Sequence, residues 1–306
     1  MGTANISNGP SIDEMLRAHS RWIRGESSEG RFILEGATLN GVSLSGADLQ
    51  SAIIRGATLL DTELSDAHLG NAVVDAADFQ RSLLGRTDFA EAHISESDFG
   101  FSLMTEATLA DAKVRNTGFR KADLRNARLQ GALLENCKFT EATLPAASFH
   151  HARLTTCDFS SSDFTEAQFV RAQIEGCRFV AANGPDANFS SGRIKNCDFA
   201  RSDLARAKCF QADLTGSQFD RTRMCDADLR EAQLGGAILC QADLSGARLA
   251  GAMLLAADLR GADLTGAQGL TAAQLAQALT DYSTILPNGS RGPFSRYSGA
   301  ERAESR

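Results

Sequence analysis

Tryptophan and tyrosine are almost missing: one Trp and two Tyr stand against 17 Phe, and five Pro interrupt 306 residues. An interior without indole or phenol groups has few ring dipoles to satisfy and suits a narrow, regular core filled by one flat side chain. No run of 18 apolar residues occurs, which excludes a helical membrane span. The first thirty residues lack a basic start followed by an apolar stretch, so no secretory signal is read. Ile6 stands where a myristoylation site needs Ser or Thr. Seven Cys without CxxC spacing, in a chain with no export signal, imply reduced thiols and a cytoplasmic location. A formal charge of −7 argues against general affinity for nucleic acid or anionic membrane.

What the chain does have is a period. From Leu34 to Leu264 every fifth residue gives 47 positions, of which 45 are Leu, Phe, Ile, Val or Met; Gly184 and Cys209 are the exceptions. Two residues before each centre stands Ala, Ser, Thr, Cys or Gly, except at Phe32 and Val42. On an α-helix a five-residue step advances about 140°, scattering the large side chains around the axis. On a continuous strand residues five apart face opposite sides. The pattern works if three residues are extended and two make a corner, so that the small residue and the centre point inward and the residue between them points out. Near-right-angle corners close one coil with every four pentads.

The chain checks that number itself. Phe79, Phe99, Phe119, Phe139, Phe159, Phe179, Phe199 and Phe219 occupy the centre of every fourth pentad, and Cys137, Cys157, Cys177 and Cys197 occupy the small inward position of the same pentads. Four-pentad coils stack them into two columns at about 4.8 Å per step, with the cysteines as small apolar filler beneath the rings. A bound metal or a disulfide is not expected of in-register side chains that point the same way.

Runs such as Ala47-Asp48-Leu49 and Ala262-Asp263-Leu264 resemble the pentapeptide-repeat family over residues 32–267. The resemblance implies an all-β solenoid, a right-handed four-sided parallel β-helix, here of about twelve coils. Ser11-Ile12-Asp13-Glu14 and Thr271-Ala272-Ala273-Gln274 are capping boxes. They predict a capping helix with its linker over 11–31 and a helical cap over 268–287, with Leu275 and Leu279 facing one way. The ends, 1–10 and 288–306, are expected to be disordered. At Asn183-Gly184-Pro185-Asp186 a bulge is expected, because Gly replaces a core residue. Phe210 either turns outward or replaces Cys209 in the core.

Catalysis has little support. His68, His93, His150 and His151 fall at outward positions, none with a nucleophile and an acid at triad or metal-site spacing. No cofactor is expected. Binding has three candidate surfaces. Residues 31–112 carry 13 acids against four bases, a net of −9, including Asp48, Asp61, Glu63, Asp66, Asp75, Asp78, Asp88, Glu91, Glu96 and Asp98. Residues 113–130 then reverse sign. Leu83 and Leu103 stack at outward positions of one face with Phe101 at the adjoining corner, and Ile53 stacks with Val73 on another. Leu275, Leu279, Tyr282 and Ile285 offer a C-terminal contact, for a homodimer or for sealing the chain's own last coil. The resemblance implies that some members mimic duplex DNA and bind gyrase or related topoisomerases, protecting them from inhibitors. The residues themselves favour the broader reading, a protein-interaction scaffold whose partner is unknown, because the repeat specifies a fold and leaves the outer positions free.

Overall fold

The computed structural model describes residues 10–303 and divides into two compact units, the first ending at Ser148 and the second beginning at Phe149. Both are four-sided parallel β-helices with four pentads to the coil. In the first, β1 (Ile33–Glu35), β2 (Ile53–Arg55), β3 (Val73–Asp75), β4 (His93–Ser95), β5 (Lys113–Arg115) and β6 (Leu133–Glu135) pair in parallel register, Ile33 on Ile53 on Val73. In the second, β7 (Arg153–Thr155), β8 (Gln173–Glu175) and β9 (Arg193–Lys195) do the same. The other three sides are held by single bridges at the same spacing, such as Thr38 to Thr58 and Glu63 to Leu83.

The five-residue period becomes a square through one repeated set of backbone bonds. Leu49 N–H donates to the His68 carbonyl one coil on, and His68 N–H to the Ala47 carbonyl one coil back (2.7 and 2.9 Å). Across the corner Ala52 N–H donates to the Leu49 carbonyl (2.9 Å), closing a tight turn. That turn needs a left-handed residue two positions after the centre. Ser51, Asp61, Arg81 and Phe101 all hold φ between 54° and 61°. One N–H per corner is left over, and the outward residue before the centre takes it: Asp48, Asp78, Asp88 and Asp98 accept from the N–H two residues on at 2.8–3.2 Å. The frequent Asp before Leu or Phe is therefore part of the fold.

Centres and small residues are almost all buried. In the first unit Phe79, Phe99, Phe119 and Phe139 stack with centroids 4.7–5.3 Å apart; in the second Phe159, Phe179, Phe199 and Phe219 stack at 4.5–5.2 Å. The expected bulge at Gly184 is absent. Asn183 keeps its bridges to Asp163 and Asp203, and Gly184 N–H donates to Asp203 in the ordinary way (2.8 Å). The missing side chain is replaced from the coil below, because a Cβ on Gly184 would fall inside the Phe164 ring. That ring lies edge-on to Phe169, Phe179 and Phe189. Cys209 stays in the core and Phe210 turns outward beneath Arg230, 5.5 Å from the ring centroid.

Helix α1 (Ile12–Ile23) starts at the reciprocal Ser11–Glu14 cap and covers the first coil. Its buried His19 accepts the Phe32 N–H at Nδ1 (2.9 Å) and stacks on Trp22. At the other end α2 (Ala272–Leu275) is a single turn, and Gln274 Nε2 donates to the Leu249 and Ala252 carbonyls. The chain then resumes the coil with added residues: Asp258 bridges Leu279 and Asp263 bridges Ile285. This corrects the shared facing of Leu275 and Leu279, since Leu275 is buried and Leu279 points out. The tail also departs from expectation. Residues 288–303 fold back, Arg291 pairing antiparallel with Ile285, Phe294 N–H donating to Thr280 Oγ1 (2.8 Å), and Ala300 buried. The last coil is an open sheet edge, and covering it outweighs the tail's polar composition. The disorder expected of 1–10 falls on residues that, apart from Pro10, lie outside the described ones.

These contacts have two measurable consequences. Burial lowers the His19 pKa, with Arg31 adding and Asp48 opposing. The docked imidazole is neutral, and a detached helix binds a proton more readily. Cap docking should be full above the ordinary histidine value of about 6.5 and weaken as pH falls below it. Fluorescence of Trp22 should report the loss, and His19→Asn, which keeps an acceptor without the titration, should flatten the pH profile. Separately, Gly184→Leu should cost about 1–3 kcal/mol by overpacking and Phe164→Leu should be destabilising through its cavity. The double variant should recover most of both losses in urea melts, and additive losses would refute the shared-volume account.

Candidate interaction surface

The first unit carries the apolar surface that the outward positions predict. Leu83 and Leu103 are parallel-bridged neighbours and are 39% and 48% exposed. Phe101, 46% exposed, stands at the corner that leads into Leu103 and holds a left-handed φ of 59°. A bulky residue in that region is unusual, and here the turn geometry imposes it. The Phe101 ring has the Lys121 ammonium and the Arg120 guanidinium over it, at 5.7 and 5.9 Å. Both cations also meet Glu141, at 3.2 and 2.7 Å. Glu63 and Asp123 close the Leu83–Leu103 column on either side. The result is an apolar centre with a charged rim.

Ile53 and Val73 do stack, but both are half-buried and lie two sides of the coil away from Leu83. Ile33, 43% exposed, extends their column by one coil and was legible from its place four pentads before Ile53.

The acidic residues are spread over several sides and are largely engaged. Arg81 and Arg86 each fork onto an aspartate one coil below, Asp61 and Asp66, with contacts of 2.6–2.9 Å. The guanidinium bonds hold both carboxyls below their ordinary pKa. Asp48, Asp78, Asp88 and Asp98 each give one oxygen to their own corner. Glu63 does the same for Ser65 N–H, Asp75 accepts from Ser95 Oγ, and Glu96 accepts from Asn116. Glu91 is exposed. In the basic stretch after residue 112 most charges are likewise engaged: Arg115 meets Glu135 and Arg125 meets Asp123.

The cysteine column is more than filler. At the corner following the three-residue strands the inward N–H makes no turn bond, and at several of these corners a Ser or Cys one coil on supplies an acceptor. Ala77 N–H donates to Ser97 Oγ (3.1 Å), Cys157 N–H to Cys177 Sγ (3.3 Å) and Cys197 N–H to Ser217 Oγ (3.2 Å). These groups in turn donate to backbone carbonyls, Cys137 to Glu135 and Cys197 to Lys195. Burial pushes the Cys197 thiol up to about 12, and the bond with Cys157 and burial together raise Cys177. Both are thus protonated hydrogen-bonding groups at neutral pH. Among the described residues no three or more His, Cys, Asp or Glu are grouped to hold a metal, and no helix is long and apolar enough to cross a membrane.

Of the C-terminal residues, Leu275 is buried and Ile285 half-buried in the closing coil, whereas Leu279 and Tyr282 are exposed, as are Met253 and Leu255.

Coils of four pentads, a core of alternating small and large residues, and left-handed corners define a parallel β-solenoid of pentapeptide type. A profile described as pentapeptide repeats matches in eight copies, at residues 33–71, 102–141, 207–246 and 227–266, and one described as a pentapeptide repeat region matches 127–209. The chain belongs to the pentapeptide-repeat family. Among solved structures it is similar to HetL of the cyanobacterium Nostoc sp. strain PCC 7120, a pentapeptide repeat protein involved in heterocyst differentiation regulation. Identity there is 24% over 92% of this chain and 100% of HetL, with a TM-score of 0.25. It is also similar to QnrB1, a plasmid-mediated fluoroquinolone resistance protein, at 17% identity over 67% of this chain and 89% of QnrB1, with a TM-score of 0.29. A thylakoid-lumen pentapeptide repeat protein of Arabidopsis thaliana is 27% identical over 30% of this chain and 70% of its own, with a TM-score of 0.16. No curated protein matches.

The ladder at the strand corner is testable. Ser217→Ala removes the acceptor of the buried Cys197 N–H and should cost about 1–3 kcal/mol. Ser217→Cys, which restores the column's own alternative, should recover most of that in chemical denaturation. Equal stability of the two variants would remove the hydrogen-bonding role.

Proposed function

We propose that this protein is a non-enzymatic interaction scaffold that engages a protein partner through Leu83, Phe101 and Leu103. The observation that carries this reading is the arrangement of three exposed apolar side chains, one of them aromatic, inside a rim of Arg120, Lys121, Glu63 and Asp123. Binding energy in protein interfaces concentrates in such centres, with aromatic anchors shielded by polar edges. The solenoid favours the role: its core and corners are fixed, and the outward column is free to be apolar.

The competing reading is a DNA-like surface that binds gyrase or a related topoisomerase. The net of −9 over residues 31–112 favours it. The forked Arg81 and Arg86 and the corner bonds of four aspartates weigh against it, because they neutralise or orient the charges such mimicry would display.

One experiment separates the two. Immobilised wild type and Leu83→Asp/Leu103→Asp are compared for capture from extract of the source cell, with purified gyrase run alongside in a supercoiling assay. The scaffold reading expects a specific protein whose recovery falls at least about tenfold with the double variant, melting that stays within a few degrees of wild type, and unchanged supercoiling. Equal recovery by both proteins would sink the patch. Inhibition of supercoiling that disappears on reversing Asp61, Glu63, Asp78 and Asp88 would put mimicry in its place.

A further inference from the structure

The second unit holds a cationic surface on which three arginines without an ion pair cluster in successive coils, in contrast to the paired columns of other faces. There, many basic residues find an acid one coil away: Arg81 with Asp61, Arg115 with Glu135, Lys121 with Glu141, Arg206 with Asp186, Arg223 with Asp203, Arg248 with Asp228. Along the β7–β9 sheet this pairing stops. The outward residues in register are Arg153, Gln173 and Arg193, all exposed. The corner leading into the sheet carries His151 and Arg171 in successive coils, joined by backbone bonds of the corner column, and both are exposed. Among the described residues, Arg153, Arg171 and Arg193 have no ion-pair or side-chain hydrogen-bond partner. Asp213, which follows Arg193 in the column, is already engaged, its carboxylate meeting Lys195 Nζ at 2.8 Å and Thr215 Oγ1 at 2.6 Å. Glu175 is the acid at the far end of β8, two residues beyond Gln173.

We propose that this face docks an acidic, extended segment of a protein partner, at a surface separate from the Leu83 patch. Arg153 and Arg193 stand two strand steps apart, about 10 Å, with Arg171 beside the step between them. Carboxylates on alternate residues of an extended peptide are spaced about 7 Å, so neighbouring acids fall within reach of two of the three flexible guanidiniums. Each guanidinium presents a planar fork that matches a carboxylate, and Gln173 between them offers a neutral donor and acceptor for the segment's backbone. A protein segment fits better than nucleic acid. Three arginines are fewer than the about six to ten phosphate contacts of a typical DNA-binding protein, and the chain as a whole is negative.

The test is fluorescence anisotropy on the full chain with a labelled peptide of alternating Glu and Thr, its Gln-for-Glu counterpart, and a labelled DNA duplex, at about 50 mM salt where screening is weak. The acidic peptide should bind and the neutral one should not. Binding should weaken at least tenfold in Arg153→Glu/Arg193→Glu and stay within twofold in Arg178→Glu/Arg201→Glu, a matched reversal in the same unit outside this face. Circular dichroism melts of all variants confirm that the coils are retained. Failure of the acidic peptide to bind better than the neutral one would overturn the proposal, as would equal loss in both double variants. Tighter binding of the duplex, lost in Arg153→Glu/Arg193→Glu, would overturn it in favour of a nucleic-acid surface. None of these results depends on the Leu83 patch, so either surface can fail alone.

Discussion

Everything in this fold hangs on a backbone bond from each strand position to a carbonyl one coil away. Leu49 to His68, Leu69 to Asp88 and Phe89 to Thr108 are instances of one rule. Because the bond fixes the coil at four pentads, a single inserted residue would turn a centre outward and bring an outward residue in. Side chains on extended backbone alternate in direction, so register and burial cannot change separately. Insertions in the described coils lie near the end, where Asp258 meets Leu279 and Asp263 meets Ile285, and there the chain is closing its own edge.

The same rule shapes the outside. Turning every five residues requires a left-handed residue at each corner, at a cost of about 1–2 kcal/mol for most side chains. The N–H of that residue bonds to the next coil, as Asp61 N–H does to the Gln80 carbonyl and Phe101 N–H to the Arg120 carbonyl, and this offsets the strain. The remaining corner N–H is taken by the aspartate before the centre. A column that looks like free surface therefore splits into two kinds of position. Those with Asp, Asn or Thr serve the corner; those with Leu or Arg give up that side-chain bond and expose something else. Leu83, Leu103, Arg153 and Arg193 are all of the second kind. That makes them better indicators of binding than the more numerous acids.

Much of this was legible in the sequence. The five-residue period named the core, and the Phe spacing named the coil length, because both record a constraint that repeats with every turn. Gly184 was misread because a linear pattern shows a missing side chain and cannot show that Phe164, one coil earlier, turns its ring into the gap. The serines, threonines and cysteines after each strand were read by size alone. Their hydrogen-bonding role follows from the corner geometry, which leaves an inward N–H without a turn carbonyl at most corners after β1–β9 and also at Thr62 on another side. The tail misled for a related reason: its composition is that of a loop, but the edge beneath it has unpaired backbone groups, and Arg291 and Gly292 meet that need.

The ion pairs were the signal in plain view. Once the coil is known to be four pentads, residues at the same place in successive coils are neighbours in space. Opposite charges at that spacing, as at 61 and 81 or 66 and 86, read directly as pairs. By the same reading Arg153, before Gln173, and Arg171, between His151 and Ser191, have no acid in their own columns, whereas Arg193 has Asp213, which Lys195 and Thr215 engage. A solenoid thus separates the charges it has settled internally from those it leaves open, and a count of acids and bases along the chain conceals the difference. The acidic coils look like the functional end by net charge. By pairing, the arginines of the β7–β9 face in the second unit are among the charges left open, while the Phe101 corner in the first unit is apolar surface beneath cations already paired with Glu141.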